Sequence, residues 1–136
     1  MKKLLSTRYT TTTFNLATLL LRTAFGFLMC LGHGIPKLSN FNELQLTFFD
    51  AFHIGHRWSL ILAIFAEVFA SMLLVLGLFS RIAAFILLID MAVVIFLVHK
   101  GQPVRNFEDA VMYSVAYLCI LLIGPGKISV DGITGK

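Results

Sequence analysis

The stretch ILAIFAEVFASMLLVLGLF, residues 61–79, carries a single formal charge, Glu67, among side chains that are otherwise apolar or small. A run of this kind suits a helix crossing the ~30 Å hydrocarbon core of a bilayer, which takes ~20 residues. One ionised carboxylate at its centre opposes insertion by about 2.5–3.5 kcal/mol, so a chain that keeps it has a partner or a use for it. Taken with its flanks as 57–79, this run is joined by three others, at about 14–34, 81–98 and 108–123; the last is short for a full crossing. The whole chain is 58% hydrophobic and 13% charged, with mean hydropathy +0.88, too apolar for a water-soluble domain of 136 residues. The sequence therefore predicts an all-α integral membrane protein. Its single domain, residues 1–136, is expected to be a bundle of four transmembrane helices with little chain outside the bilayer.

The basic start MKKLLSTRYTTTTFNLATLLLR imitates a secretory signal. Arg22 interrupts its apolar run, no small-x-small site follows, and Met29 precedes Cys30 where a lipoprotein signal has a small residue, so an uncleaved chain is expected. Four crossings put both termini on one side. That side, with the GLFSR turn, carries Lys2, Lys3, Arg8, Arg81, Lys127 and Lys136, against Lys37, Arg57, Lys100 and Arg105 opposite. The bias predicts cytoplasmic termini. It also accounts for the net charge of +4, and without a basic stripe of interleaved aromatics nucleic acid is not an expected partner.

The first helix is predicted to end at GHGIPKLSNF, where two glycines and Pro36 break the pattern. In the long connection after it, LQLTFFDAF spaces Leu44, Phe48, Ala51 and Phe52 as a helix would, predicting a short amphipathic helix at the outer interface. Trp58 opens the second span at headgroup level. GLFSRI is short enough to force an antiparallel turn between the second and third spans. Glu108 and Asp109 suit the first turn of the fourth helix, and the tail GPGKISVDGITGK leaves the bundle through consecutive turn residues.

Counting depth at ~1.5 Å per residue places Arg22 ~12 Å from the inner end of its span, Glu67 ~15 Å from the outer end of its span and Asp90 ~15 Å from the inner end of its own. All three then fall near the midplane, with Tyr113 at a similar depth and Asp109, Tyr113 and Tyr117 along one face of the fourth helix. The expectation is a charge cluster in which Glu67 and Asp90 share Arg22 and the Tyr113 phenol completes the set. Two uses stay open for it: fixing helix order and register, or a function. Two carboxylates on one guanidinium leave a net negative charge, which is relieved if Glu67 or Asp90 carries a proton near neutral pH.

A second polar level lies toward the outer side. Arg22, Gly26, Met29 and His33 share one helical face, His33 and His99 fall at nearly one height, and Lys37, His53 and His56 are close in sequence to that mouth. Several readings stay open. The histidines are interfacial side chains without a ligand, or His33, Lys37 and His99 line a pocket for a quinone-like head group. A bis-histidine haem is opposed by the half-turn between His99 and Asp90, and zinc at His53 and His56 lacks a third ligand, so no metal site is expected. Cys30 and Cys119 are ~16 Å apart in depth and cannot pair. No CxxC, nucleotide-binding glycine loop or hydrolase triad is present, so any redox chemistry draws on a bound small molecule or a partner.

Residues 16–131 resemble the DoxX family of four-helix bacterial membrane proteins. The likeness rests on LLLRTAFGFLMCLGHGIPKL, AEVFASMLLVLGLFSRIAAFILLIDMAVVIF and GPGKISVDG. Most diagnostic is an acid, a G-L-F-[ST]-R turn, then an acid in the next helix. The family pattern covers Arg22, Gly26, Gly34, Lys37, Glu67, Gly77, Arg81, Asp90 and His99. The resemblance implies a multi-pass protein of the bacterial inner membrane, acting as a subunit or accessory of redox processes. Members are associated with the small subunit of thiosulfate:quinone oxidoreductase, with quinone or catechol stress responses, and with a membrane complex that includes superoxide dismutase. On this reading the chain binds a quinone-like molecule and has no intrinsic cofactor. A homo-oligomer or heteromeric redox complex would cover its apolar faces. The alternatives are a purely structural subunit and a small-molecule carrier, the latter opposed by the lack of inverted repeats or broken spans.

Overall fold

The computed structural model describes residues 8–135, and every regular element among them is helical. Lys2, Lys3 and Lys136, which enter the charge bias, lie outside the described residues. Three helices are long and apolar enough to cross a membrane: α1 over Thr11–Ser39, α2 over His56–Leu76 and α3 over Ser80–Val98. A fourth helix, α4 over Glu108–Ile123, has 16 residues and so rises ~24 Å.

Helix α1 starts where Thr10 caps it, its hydroxyl accepting from the Thr13 N–H at 3.1 Å. It does not stop at Gly34, as its glycines and Pro36 suggested. A wide π turn over Cys30–Gly34 leaves Pro36 in the first turn of a new α segment, Ile35–Ser39, where a missing N–H costs little. Between α2 and α3 the chain turns through Gly77 at φ +72° and Phe79 at φ +49°, the tight reversal expected of GLFSRI.

Helices adjacent in sequence are neighbours in space, and α4 closes the bundle against α1. Met29, Leu74, Leu87, Tyr117 and Ile120 fill the centre. Glycines set how closely α1 approaches α2. A Cβ on Gly26 would stand 3.0 Å from the Ser71 carbonyl oxygen, and one on Gly34 2.9 Å from that of Glu67. The outer faces keep Phe27, Leu31, Phe69, Phe85, Phe96 and Leu122 exposed, as lipid contact requires.

The connection after α1 differs from the expected amphipathic helix over LQLTFFDAF. Its helical turn is earlier, Phe41–Leu44, and residues 45–48 form turn and bend. Asp50 organises the residues after it: its carboxylate accepts from the N–H groups of Ile54 and Gly55 at 3.1 and 2.8 Å and from Ser59 Oγ at 2.8 Å. His56 Nδ1 adds a contact of 2.6 Å to the Phe48 carbonyl. These local bonds compete with the helical ladder that spacing alone favours. They also hold Asp50 below the usual carboxylate range, the Ser59 hydroxyl contributing most.

Candidate functional site

Each of the three long helices widens once into a π turn, at Cys30–Gly34, Phe65–Ala70 and Val94–Val98. Such turns are rare and recur at functional sites, because the extra residue per turn re-aims side chains and opens space between helices. The helices that carry them wall one cavity of about 650 Å³, within the range of small-molecule sites. Phe48, Phe49 and Phe52 from the first connection add aromatic surface to it.

Its polar members are His33, Lys37, Glu67, Asp90, His99 and Tyr113, together with Ser59, Asn106 and Asp109. Lys37 Nζ donates to both carboxylate oxygens of Glu67, at 2.5 and 2.6 Å, and Glu67 is only 3% exposed. Asp90 differs. Its Oδ2 is buried and has no hydrogen-bond partner among the described residues. His99 Nδ1 lies 3.0 Å from the Val94 carbonyl, and because a carbonyl only accepts, Nδ1 holds the proton and leaves Nε2 an acceptor in the neutral ring. The Tyr113 ring meets those of His33 and Phe25 edge-on at 5.7 and 5.6 Å and stacks on Tyr117 at 5.9 Å.

The structure thus brings six of the seven predicted site residues to one wall and separates Arg22 from them. Arg22 does not bridge Glu67 and Asp90. A Cβ on Gly77 would meet the Arg22 guanidinium, whereas Gly34 is the part of α1 that meets Glu67. Along α2, the ten residues between positions 67 and 77 span ~15 Å, so the two charges stand at different levels. The depth count placed them together because it set residue 14 level with the end of the second span, whereas Arg22 itself packs against the last turn of α2. The partner that Glu67 required is Lys37, beyond the proline where the helix was expected to have ended.

A second correction concerns His99. A regular helix puts it half a turn from Asp90, yet both line the cavity, because the wide turn Val94–Val98 between them advances less per residue. No signal in residue spacing marks the three π turns. His53 is an exposed residue at φ +55°, and His56 is engaged with the loop carbonyl rather than the cavity. Cys30 and Cys119 are free thiols, and no three His, Cys, Asp or Glu side chains among the described residues group as a metal site would need.

Arg22 belongs to a clasp at the other end of the bundle. Its Nη1 donates to the Leu74 carbonyl at 3.2 Å and to that of Val75, and its Nη2 donates to the carbonyl of Ile128. The first two are carbonyls of the last turn of α2, where the helical ladder runs short of donors; that of Leu74 also accepts from the Gly77 N–H at 3.1 Å. The Asp131 carboxylate accepts from the backbone N–H of Phe79 and Ser80 at 2.9 and 2.8 Å and from Ser80 Oγ at 2.9 Å, capping α3. The Asp131 N–H donates to the Gly77 carbonyl at 2.9 Å, and Asn15 Oδ1 accepts from the Lys127 N–H at 2.9 Å. The tail GPGKISVDG is therefore stitched to α1, to the turn and to α3.

The family model for DoxX matches residues 17–100. An uncharacterized protein of Haemophilus influenzae is 42% identical over 72 residues, 48% of this chain and 54% of its own length. The chain thus spans about half of the curated relative it matches. No solved structure matches it. The cavity residues from His33 to His99 and Arg22 fall inside the matched segment, whereas Tyr113 and Asp131 lie beyond it.

Proposed function

The chain belongs to the DoxX family, and from that premise we propose that it is a membrane subunit or accessory protein of quinone-linked redox metabolism or oxidative-stress response, binding a quinone-like molecule in the cavity between its helices. The carrying observation is the cavity itself: about 650 Å³ of largely aromatic and aliphatic wall, with Lys37, Glu67, Asp90, His33, His99 and Tyr113 among its polar points. A ring with oxygen substituents and an apolar tail fits that division. The protein supplies placement and hydrogen bonds, and the bound molecule or a partner supplies the electrons.

In this reading α4 also crosses, giving four transmembrane helices with both termini cytoplasmic in the bacterial inner membrane. The exposed Met112, Val115, Leu118 and Leu122 on α4 support its contact with lipid. The turn Phe41–Leu44 and the Asp50 loop then lie at the outer interface, and further copies or partner subunits cover part of the apolar surface. Gentle purification followed by solvent extraction and mass spectrometry tests the proposal: a quinone near one per chain is expected, and bulk lipid alone would contradict it.

A second reading, an assembly subunit, is favoured by the clasp, which rigidifies the bundle without any ligand. Glu67→Gln would then lower complex yield while leaving turnover of the intact complex unchanged.

A further inference from the structure

We infer that the cavity fills from the bilayer through a lateral mouth between α2 and α3, and that its ligand is a membrane-dissolved molecule whose apolar tail lies in that mouth while its head meets the polar wall. The inference rests on the quinone-class reading above and adds to it the route and the residues that meet the tail.

Three side chains carry it, because they belong to two surfaces at once. Leu62 and Phe65 on α2 and Ile89 on α3 line the cavity, yet they are 49%, 47% and 47% exposed. A residue that walls a cavity and also faces outward stands at its rim. On α2 the two continue the exposed stripe of Trp58 and Phe69, and on α3 Ile89 continues that of Ile82 and Phe85, so the rim lies where two lipid-facing stripes meet. Ile86 and Val93, one turn to either side of Ile89 on the same face, extend an edge made of apolar side chains.

Helix packing accounts for the gap. Residues 65–76 of α2 pack on Ser80–Val93 of α3. The first part of α2, His56–Ile64, packs instead on Ile35–Ser39 and on the Phe41–Leu44 turn, while Val94–Val98 packs on α4. At the cavity end the two helices thus turn to different neighbours. Elsewhere on the wall, the exposed side chains suit a tail poorly. Asn106 and Asp109 are polar, and Phe49 and Phe52 belong to the connection before α2 rather than to a crossing helix. A tail leaving past them would enter water or headgroups, whereas between α2 and α3 it exchanges one apolar surrounding for another. The head has little distance to cover, since Asp90, with its buried Oδ2, follows Ile89 directly in the chain.

The test photolyses a decyl-quinone probe with a diazirine on its tail, and a second with the diazirine on its ring, against the full chain in lipid nanodiscs with and without excess decylubiquinone. Tail adducts that the competitor removes are expected on residues 58–69 and 82–93. Competable tail adducts concentrated on residues 48–52 or 106–109 would put the tail on the aqueous side and overturn the inference. Ile89→Trp, which fills the mouth, is expected to cut competable labelling about tenfold, and an unchanged yield in the folded variant would equally overturn it. Competable ring adducts on the wall without tail adducts at the mouth would remove the mouth alone. No competable adduct from either probe would remove the quinone-class reading, and the mouth with it.

Discussion

The two ends of this bundle use the same ingredients to different ends. At the end that carries the tail, Arg22 and Asp131 are buried against backbone: both Nη groups of Arg22 donate to carbonyls of α2 and the tail while its Nε is buried without a partner among the described residues, and Asp131 accepts from the first N–H groups of α3. At the opposite end, Lys37 and Glu67 close on each other while Asp90 keeps an oxygen without a donor among the described residues, beside a cavity. The clasp ties α1, α2, α3 and the tail together away from the cavity, whereas the unpartnered oxygen of Asp90 belongs to a residue that lines it. The contrast is more informative than the presence of buried charge, which on its own is weak grounds for stability or function.

If the end that carries the tail is a clasp, breaking it should cost stability most. Arg22→Met leaves the Val75 and Ile128 carbonyls without this donor, while that of Leu74 keeps the Gly77 N–H at 3.1 Å, and should destabilise by about 2–4 kcal/mol in denaturant unfolding from detergent micelles. A cost below about 1 kcal/mol would mean that these contacts are incidental. Gly77→Ala comes next. It forces a side chain into φ +72°, with its Cβ 2.5 Å from that of Ser129, and should cost about 1–3 kcal/mol in the same assay.

The cavity end should respond in the opposite way. Asp90→Asn removes no hydrogen bond made by Oδ2, so unfolding should shift by less than about 0.5 kcal/mol, while retention of the extracted quinone falls severalfold. A large stability loss with ligand retained would make Asp90 part of the scaffold. The smallest effect belongs to the Asp50 loop. A carboxylate held below its ordinary value, about 3.9, contributes its stabilisation fully above that value and loses it as pH falls through the lower, folded one. Amide protection at Ile54 and Gly55 should therefore weaken only below about pH 4 in wild type, and this acid dependence should be absent in Asp50→Asn.

Much of the fold was legible because apolar run length and turn chemistry are local signals. The GLFSR reversal, the start of α4 at Glu108 and the shared face of Arg22, Gly26 and Met29 all follow from spacing. The polar residues of the cavity were legible for a related reason, since a charge in an apolar run stands out. Their pairing was not. Which cation meets Glu67 depends on the relative height of two helices, set by how closely Gly26 and Gly34 let α1 approach α2 and by α1 running past Pro36. The π turns escape spacing rules altogether, because each adds a residue where the pattern assumes a constant period. Asp131 reads as one acid in a polar tail, and only tertiary folding brings it to the start of α3.

The difference between the two ends is tested most directly by photo-labelling in nanodiscs with an azido-quinone, with and without excess unlabelled quinone, followed by peptide mapping. Competable labelling is expected on the segments 48–67 and 86–99, which form much of the cavity wall, and none at the clasp around Arg22 and the tail. Competable labelling concentrated around residues 15–22 or 124–132, or labelling that excess quinone leaves unchanged, would contradict it.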